Sequence, residues 1–193
     1  MRLGVLGGTF DPIHIGHLSV AVEVRHALAL DRVLLVVANV PWQKAGERAI
    51  SPAEDRWAMA AAAVEGVEGV DADRREIDRG GESYTVETLE ALRSEGHDLF
   101  LIVGSDVAGS LDTWKRHEEL PHLATLVVVE RPGAPASAPP AGWMVERVDV
   151  PALDVSSSDL RDRARHGRPL DVLVPPAALR VLRERGLYAD GSG

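Results

Sequence analysis

The sequence contains no cysteine. That excludes a disulfide framework, thiolate catalysis and a Cys-ligated zinc site, without fixing the compartment. It is short of positive charge: 21 Lys and Arg stand against 30 Asp and Glu, for a net charge of −9. A nonspecific nucleic-acid binder needs a broad basic face, so that class is excluded, and a polyanionic substrate has to be held by a local cluster of donors together with a divalent cation. No apolar run is long enough to cross a bilayer, and no signal peptide is visible because the first apolar stretch stops at Gly7. Neither nucleic acid nor a membrane is an expected partner, and the cytoplasm is the expected compartment. There is no internal repeat, no Gly-Lys-Ser/Thr of a Walker A loop and no Gly-x-Gly-x-x-Gly fingerprint.

With 193 residues, 45% of them apolar, the chain fits one domain with a sizeable core, expected over residues 1–188 with a disordered tail at 189–193. Its most informative stretch is Gly7-Gly8-Thr9-Phe10-Asp11-Pro12-Ile13-His14-Ile15-Gly16-His17. The apolar run Leu3–Leu6 before it reads as a buried strand, and Leu18–Val24 after it suits a helix. A glycine turn between a strand and a helix presents backbone N–H groups and the positive end of a helix dipole to one point, a common way of holding phosphate. Gly7 and Gly8 let the backbone approach a ligand, and Thr9 adds a hydroxyl. His14 and His17, spaced to share the mouth of that turn, are candidate donors to phosphate oxygens. The plainer alternative is a helix cap or a core histidine.

Further along, Arg32–Val37 reads as a parallel strand covered on both faces, and the loop after it carries Asn39 and Lys44. Ser51-Pro52-Ala53-Glu54 has the form of a helix start, with Ser as cap and Pro first in the helix, running to about Val64. Residues 70–77 are charged and less regular, with one short strand expected to contain Glu76 and Ile77. Ser83–Leu92 reads as a helix entered through Ser or Thr, followed by the strand Leu99–Val103 with Gly104-Ser105-Asp106 at its carboxyl end. Thr125–Val129 and Trp143–Val150 supply further strands around a Pro-rich surface loop, and Leu160–Arg165 and Pro176–Glu184 read as terminal helices. Alternating strands and helices indicate an α/β fold: a doubly wound, mostly parallel sheet with a small C-terminal helical part.

Ser156, Ser157 and Ser158 precede a helix whose first turn bears Arg161. Serine runs there are commonly only caps, but hydroxyls, helix N–H groups and a guanidinium together also suit phosphate.

Gly7–His17 resembles the signature of the nucleotidylyltransferase superfamily, whose His-x-Gly-His element stabilises a transferring nucleotidyl phosphate. The string also occurs in class I aminoacyl-tRNA synthetases, but the lysine-rich C-terminal signature of those enzymes is missing. Val155–Arg161 is similar to the Ile-Ser-Ser-Thr-x-x-Arg element of the adenylyltransferases, with Ser158 in place of Thr. Ser83-Tyr84-Thr85 with Thr88-Leu89, Gly104-Ser105-Asp106, Thr113-Trp114, Leu173-Val174-Pro175 and Leu187-Tyr188 resemble motifs of the bacterial nicotinate mononucleotide adenylyltransferases. Pro41-Trp42-Gln43-Lys44 stands where that family often has Pro-Pro-His-Lys.

The resemblance implies a Rossmann-like fold and adenylyl transfer from ATP to nicotinate mononucleotide, with Mg²⁺ bound mainly through the ATP phosphates. It implies that His14, His17 and Arg161 are catalytic. ATP would be held by Gly7, Gly8, Thr9, Phe10, His17, Gly104, Asp106, Ser156, Ser157, Ser158 and Arg161, and the acceptor by Asn39, Lys44, Thr85, Asp106 and Trp114. Within this assignment Trp114 stacks on the pyridine ring, and backbone N–H groups near Thr85 and Trp114 receive its carboxylate. The alternatives on sequence alone are core packing for Trp114, a helix cap for Asp106 and a solvated loop charge for Lys44. Self-association is left open, as is the choice between nicotinate and nicotinamide forms. A pantetheine phosphate adenylyltransferase and a nucleotide-binding module without turnover are the rival classes.

Overall fold

The fold is described from a computed structural model, over residues 1–41, 50–130 and 138–188. Six strands form one sheet in the order β3-β2-β1-β4-β5-β6: β1 (Arg2–Gly8), β2 (Arg32–Val37), β3 (Val70–Asp73), β4 (Asp98–Gly104), β5 (Thr125–Glu130) and β6 (Val145–Asp149). Every pairing is parallel, so the mostly parallel expectation is met in full. Parallel strands need long crossovers, and the helices that make them cover both faces.

The inner strands β2, β4 and β5 are apolar in both phases of the pleat, while the edge strands β3 and β6 carry Asp, Glu and Arg. Val33, Leu35, Val37, Phe100, Ile102, Val127 and Val129 face one core, which α1 (Ile15–Ala27), α2 (Ala53–Val64) and α8 (Pro176–Glu184) close through Val24, Met59, Leu179 and Leu182. Leu3, Val5, Val36, Leu101, Val103 and Val128 face the other, which α4 (Thr85–Ser94) and α6 (Leu120–Leu123) close through Leu89, Leu92 and Leu120. The chain winds outward from β1 to β3, then returns through α3 (Arg75–Arg79) and α4 to β4 on the other side of β1. β1 and β4 therefore flank the point where the winding reverses, and a crevice opens beyond their carboxyl ends. The remaining helices are α5 (Ser105–Ala108) and α7 (Ser157–Arg165).

Several local expectations are corrected. β1 continues through Gly7 and Gly8, because both pair with β2 at Val36 and Val37. The turn proper begins at Thr9. Glu76 and Ile77 lie in α3, not in a strand, since the Asp73 carboxylate accepts the Arg75 N–H at 2.8 Å and turns the chain into a helix. At α2 Pro52, not Ser51, is the cap residue. Tyr84 caps α4, the Ser83 hydroxyl accepting instead from Asn39 N–H at 2.8 Å. α7 starts at Ser157, three residues before the expected helix, with Ser156 Oγ capping it through Asp159 N–H at 3.1 Å.

Candidate active site

Phe10 sits at φ 48°, a left-handed conformation costing about 1–2 kcal/mol in a residue with a Cβ. Its ring is 2% exposed, and burying a phenylalanine is worth about 1.5–3 kcal/mol, enough to offset the strain. The ring lies under Gly8, where a Cβ would come 2.8 Å from it, and meets the His17 ring edge-on at 5.0 Å between centroids. Phe10 thus supports the site from beneath. Its side chain is buried among the core residues.

His14 is the N-cap of α1 and His17 its third residue. Their rings stack with centroids 3.7 Å apart. The His14 backbone N–H donates to His17 Nδ1 at 3.2 Å, which fixes the neutral His17 ring as the tautomer carrying its proton on Nε2, a donor turned away from the helix. Gly16 leaves room for this stack, since a Cβ there would meet His14 Nδ1 at 3.0 Å.

The triple-serine turn, some 145 residues away in sequence, folds against this loop. Ser157 Oγ donates to Pro12 O at 2.8 Å, and Arg161, 6% exposed, donates to Asp11 O at 2.7 Å and to Ser158 Oγ at 3.0 Å. The N-terminal turns of α1 and α7 are thus brought together, with the buried Arg161 guanidinium and the buried Asp11 carboxyl between them. The Ser157 hydroxyl proton is engaged by Pro12 O, while Ser158 is exposed at the first turn.

Beside the turn lies a cavity of about 450 Å³ lined by Gly7, Gly8, Thr9, Gly104, Asp106, Thr85 and Trp114 among others. Thr85 opens α4, and Trp114 follows the turn Leu111–Thr113. Lys115 latches the two together, its Nζ 3.7 Å from the centre of the Tyr84 ring and 3.1 Å from Glu87 Oε1. The Trp114 main-chain N–H closes onto Leu111 O at 3.2 Å, so that amide is already engaged by the turn. The indole N–H is buried and without a partner among the described residues. Asp106 is exposed in the first turn of α5, whose cap is Gly104. Asn39 donates its amide to Gly81 O at 2.9 Å and is not among the residues lining the cavity. Lys44 lies outside the described residues.

The sequence reading gave no role to Glu76 or Arg56, and named Tyr188 only as part of a motif. Glu76 lines the cavity and accepts from Thr88 Oγ1 at 2.5 Å. Tyr188 donates to Asp11 at 2.5 Å. Arg56 is 1% exposed beneath the site. Arg56 left a signal in the sequence, a charge standing on the stripe of Met59, Ala60 and Ala63 that helical periodicity buries.

A family model described as cytidylyltransferase-like matches residues 5–163. A protein of Corynebacterium kroppenstedtii named "probable nicotinate-nucleotide adenylyltransferase" is 44% identical over 97% of this chain and 90% of its own. One of Streptomyces coelicolor with the same name is 45% identical over 95% and 98%. A solved structure titled Plasmodium falciparum nicotinic acid mononucleotide adenylyltransferase complexed with NaAD has the same fold, with a TM-score of 0.77 at 15% identity over 97% of each chain. The chain belongs to the cytidylyltransferase-like family of nucleotidyltransferases. Within it, the chain belongs with the nicotinate-nucleotide adenylyltransferases.

Proposed function

We propose that the protein transfers the adenylyl group of ATP to nicotinate mononucleotide, giving nicotinate adenine dinucleotide and pyrophosphate in NAD biosynthesis. The observation that carries this reading is the contact of Ser157 and Arg161 with the Asp11–Pro12 turn, which makes one anion site out of two distant segments beside a cavity lined by Thr85 and Trp114. The relatives' names, over nearly the whole chain, agree with it.

The acceptor's phosphate oxygen attacks the α-phosphorus, and the bond to the bridging oxygen of pyrophosphate breaks. The nucleophile is already anionic, so catalysis is alignment and charge neutralisation. His17 Nε2–H and His14 serve the α-phosphoryl oxygens, with the N–H groups at Gly8 and Thr9. The α7 N-terminus with Ser156, Ser157, Ser158 and Arg161 serves the leaving phosphates. Gly104 and Asp106 take the ribose side. Thr85 and Trp114 hold the pyridine ring, the indole N–H and the first N–H groups of α4 facing its carboxylate. Asn39 and Lys44 belong to the acceptor-side loop.

Mg²⁺ is the divalent ion we assign, neutralising charge on the triphosphate. Among the described residues no three His, Asp or Glu side chains gather to hold a metal, and a small hard cation that keeps its water and takes phosphate oxygens suits such a donor set. No described helix is long and apolar enough to cross a membrane. The reading treats residues 1–188 as a single domain acting in the cytoplasm, with ATP and the mononucleotide as its partners.

The test is the purified protein with ATP and Mg²⁺, offered nicotinate mononucleotide, nicotinamide mononucleotide and pantetheine phosphate in turn, with pyrophosphate and product both measured. Pyrophosphate and the dinucleotide with the nicotinate form are expected. Turnover with pantetheine phosphate alone, or with none of the three, overturns the proposal.

A further inference from the structure

Arg56 is 1% exposed and is carried into the core by α2. A guanidinium stays protonated in proteins, and burying one costs several kcal/mol unless its N–H groups are well bonded. Here the fork meets four main-chain carbonyls. Nε donates to Ser51 O at 2.8 Å, one terminal nitrogen to Thr9 O at 2.9 Å and Ala38 O at 2.6 Å, and the other to Asn39 O at 2.8 Å. These carbonyls lie on three segments: the turn after β1, the loop after β2 and the lead into α2.

In a planar trans peptide the carbonyl and the following N–H point in opposite directions, so a fixed carbonyl fixes the next N–H. Holding Ala38 O aims the Asn39 N–H, which meets Ser83 Oγ at 2.8 Å. Holding Thr9 O aims the Phe10 N–H in the same way. Thr9, Ala38 and Ser83 all line the cavity, so one cation ties its phosphate side to its acceptor side.

We propose that Arg56 is a positioning residue that locks the turn at Thr9 to the loop at Ala38–Asn39 and so presents the two substrates in a single alignment. It rests on the adenylyl-transfer reading above. In-line displacement is sensitive to such alignment, a misplacement of about 1 Å costing about 10²-fold in rate. A lysine keeps the charge, but its single ammonium cannot span carbonyls on three segments.

The experiment uses Arg56→Lys and Arg56→Gln in the full chain, with folding checked by thermal melting. Folded variants are expected to lose about tenfold or more in kcat while KM for ATP and for the mononucleotide each stay within about threefold. Amide exchange at Asn39 is expected to quicken while amides of β4 and β5 remain protected. A folded variant with wild-type kcat and an unchanged Asn39 amide overturns the proposal, as does a loss of melting temperature alone. Ser83→Ala cuts the same chain without disturbing the buried charge. If the Arg56 variants do not fold, reduced kcat in folded Ser83→Ala supports the lock, and unchanged kcat refutes it. A wild-type protein without adenylyl transfer refutes the functional reading instead, and exchange at Asn39 then decides the role of Arg56 separately.

Discussion

Tyr188 Oη lies 2.5 Å from Asp11 Oδ1, joining the last described residue of the chain to the turn between Gly8 and His14. Asp11 is 1% exposed, and burial, reinforced by the neighbouring Asp11 carboxyl, pushes the Tyr188 phenol above its ordinary pKa. Tyr188→Phe is expected to cost about 1–3 kcal/mol, because the buried carboxyl loses one of its hydrogen bonds. The folded state holds this proton more tightly than the unfolded chain does, so the contribution is complete below about pH 10 and declines above it. Urea unfolding of both proteins should give a gap that narrows as pH rises past that point. A gap constant into strong alkali would contradict the assignment.

Gly7 and Gly8 are adjacent but have opposite tasks. A Cβ at Gly8 would meet the Phe10 ring at 2.8 Å, whereas one at Gly7 finds nothing within 4 Å and projects toward the cavity. Gly8→Ala should destabilise by about 1–3 kcal/mol, as overpacking against a rigid ring does. It should also lower turnover, because Phe10 supports His17. Gly7→Ala should melt close to wild type and weaken ligand binding. Thermal melts and titration calorimetry on the pair check both, and equal melting temperatures would remove Phe10 from its supporting role.

The parallel sheet was legible because its inner strands β2, β4 and β5 are short apolar runs with no polar face, a pattern that two-sided burial explains. Glu76 was misplaced because Asp73 starts a helix by a single side-chain bond, and a five-residue helix has too little periodicity to announce itself. The motif residues His14, His17, Ser157 and Arg161 could be read from order and spacing. What each hydroxyl and guanidinium bonds to could not. Ser157 donates to a carbonyl 145 residues away, and Asn39 turns its amide to Gly81. Neither partner is implied by local sequence, because both depend on how the loops beyond β1 and β2 come to rest.

His17 receives the His14 N–H on Nδ1 at 3.2 Å, which leaves Nε2–H as its donor. His17→Ala should lower kcat by about 10²-fold or more, the usual loss when a donor to developing negative charge is removed. KM for ATP should change far less, since the bond strengthens as the transition state forms. Single-turnover rates within a few-fold of wild type, measured on folded variant, would take His17 out of the chemistry.

Trp114 combines a ring on the cavity wall with a buried indole N–H that has no partner among the described residues. Stacking and hydrogen bonding can be separated, because Trp114→Phe keeps a ring and loses the donor while Trp114→Ala loses both. Leaving a carboxylate short of one donor costs about 1.5–3 kcal/mol, so Trp114→Phe should weaken binding of the mononucleotide by about tenfold to 10²-fold. Trp114→Ala should weaken it further. ATP affinity should be nearly unchanged in both, since His14, His17 and the α7 turn are untouched. Calorimetry with each ligand alone gives the answer: equal losses for ATP and the mononucleotide would mean that Trp114 supports the whole crevice rather than the acceptor ring.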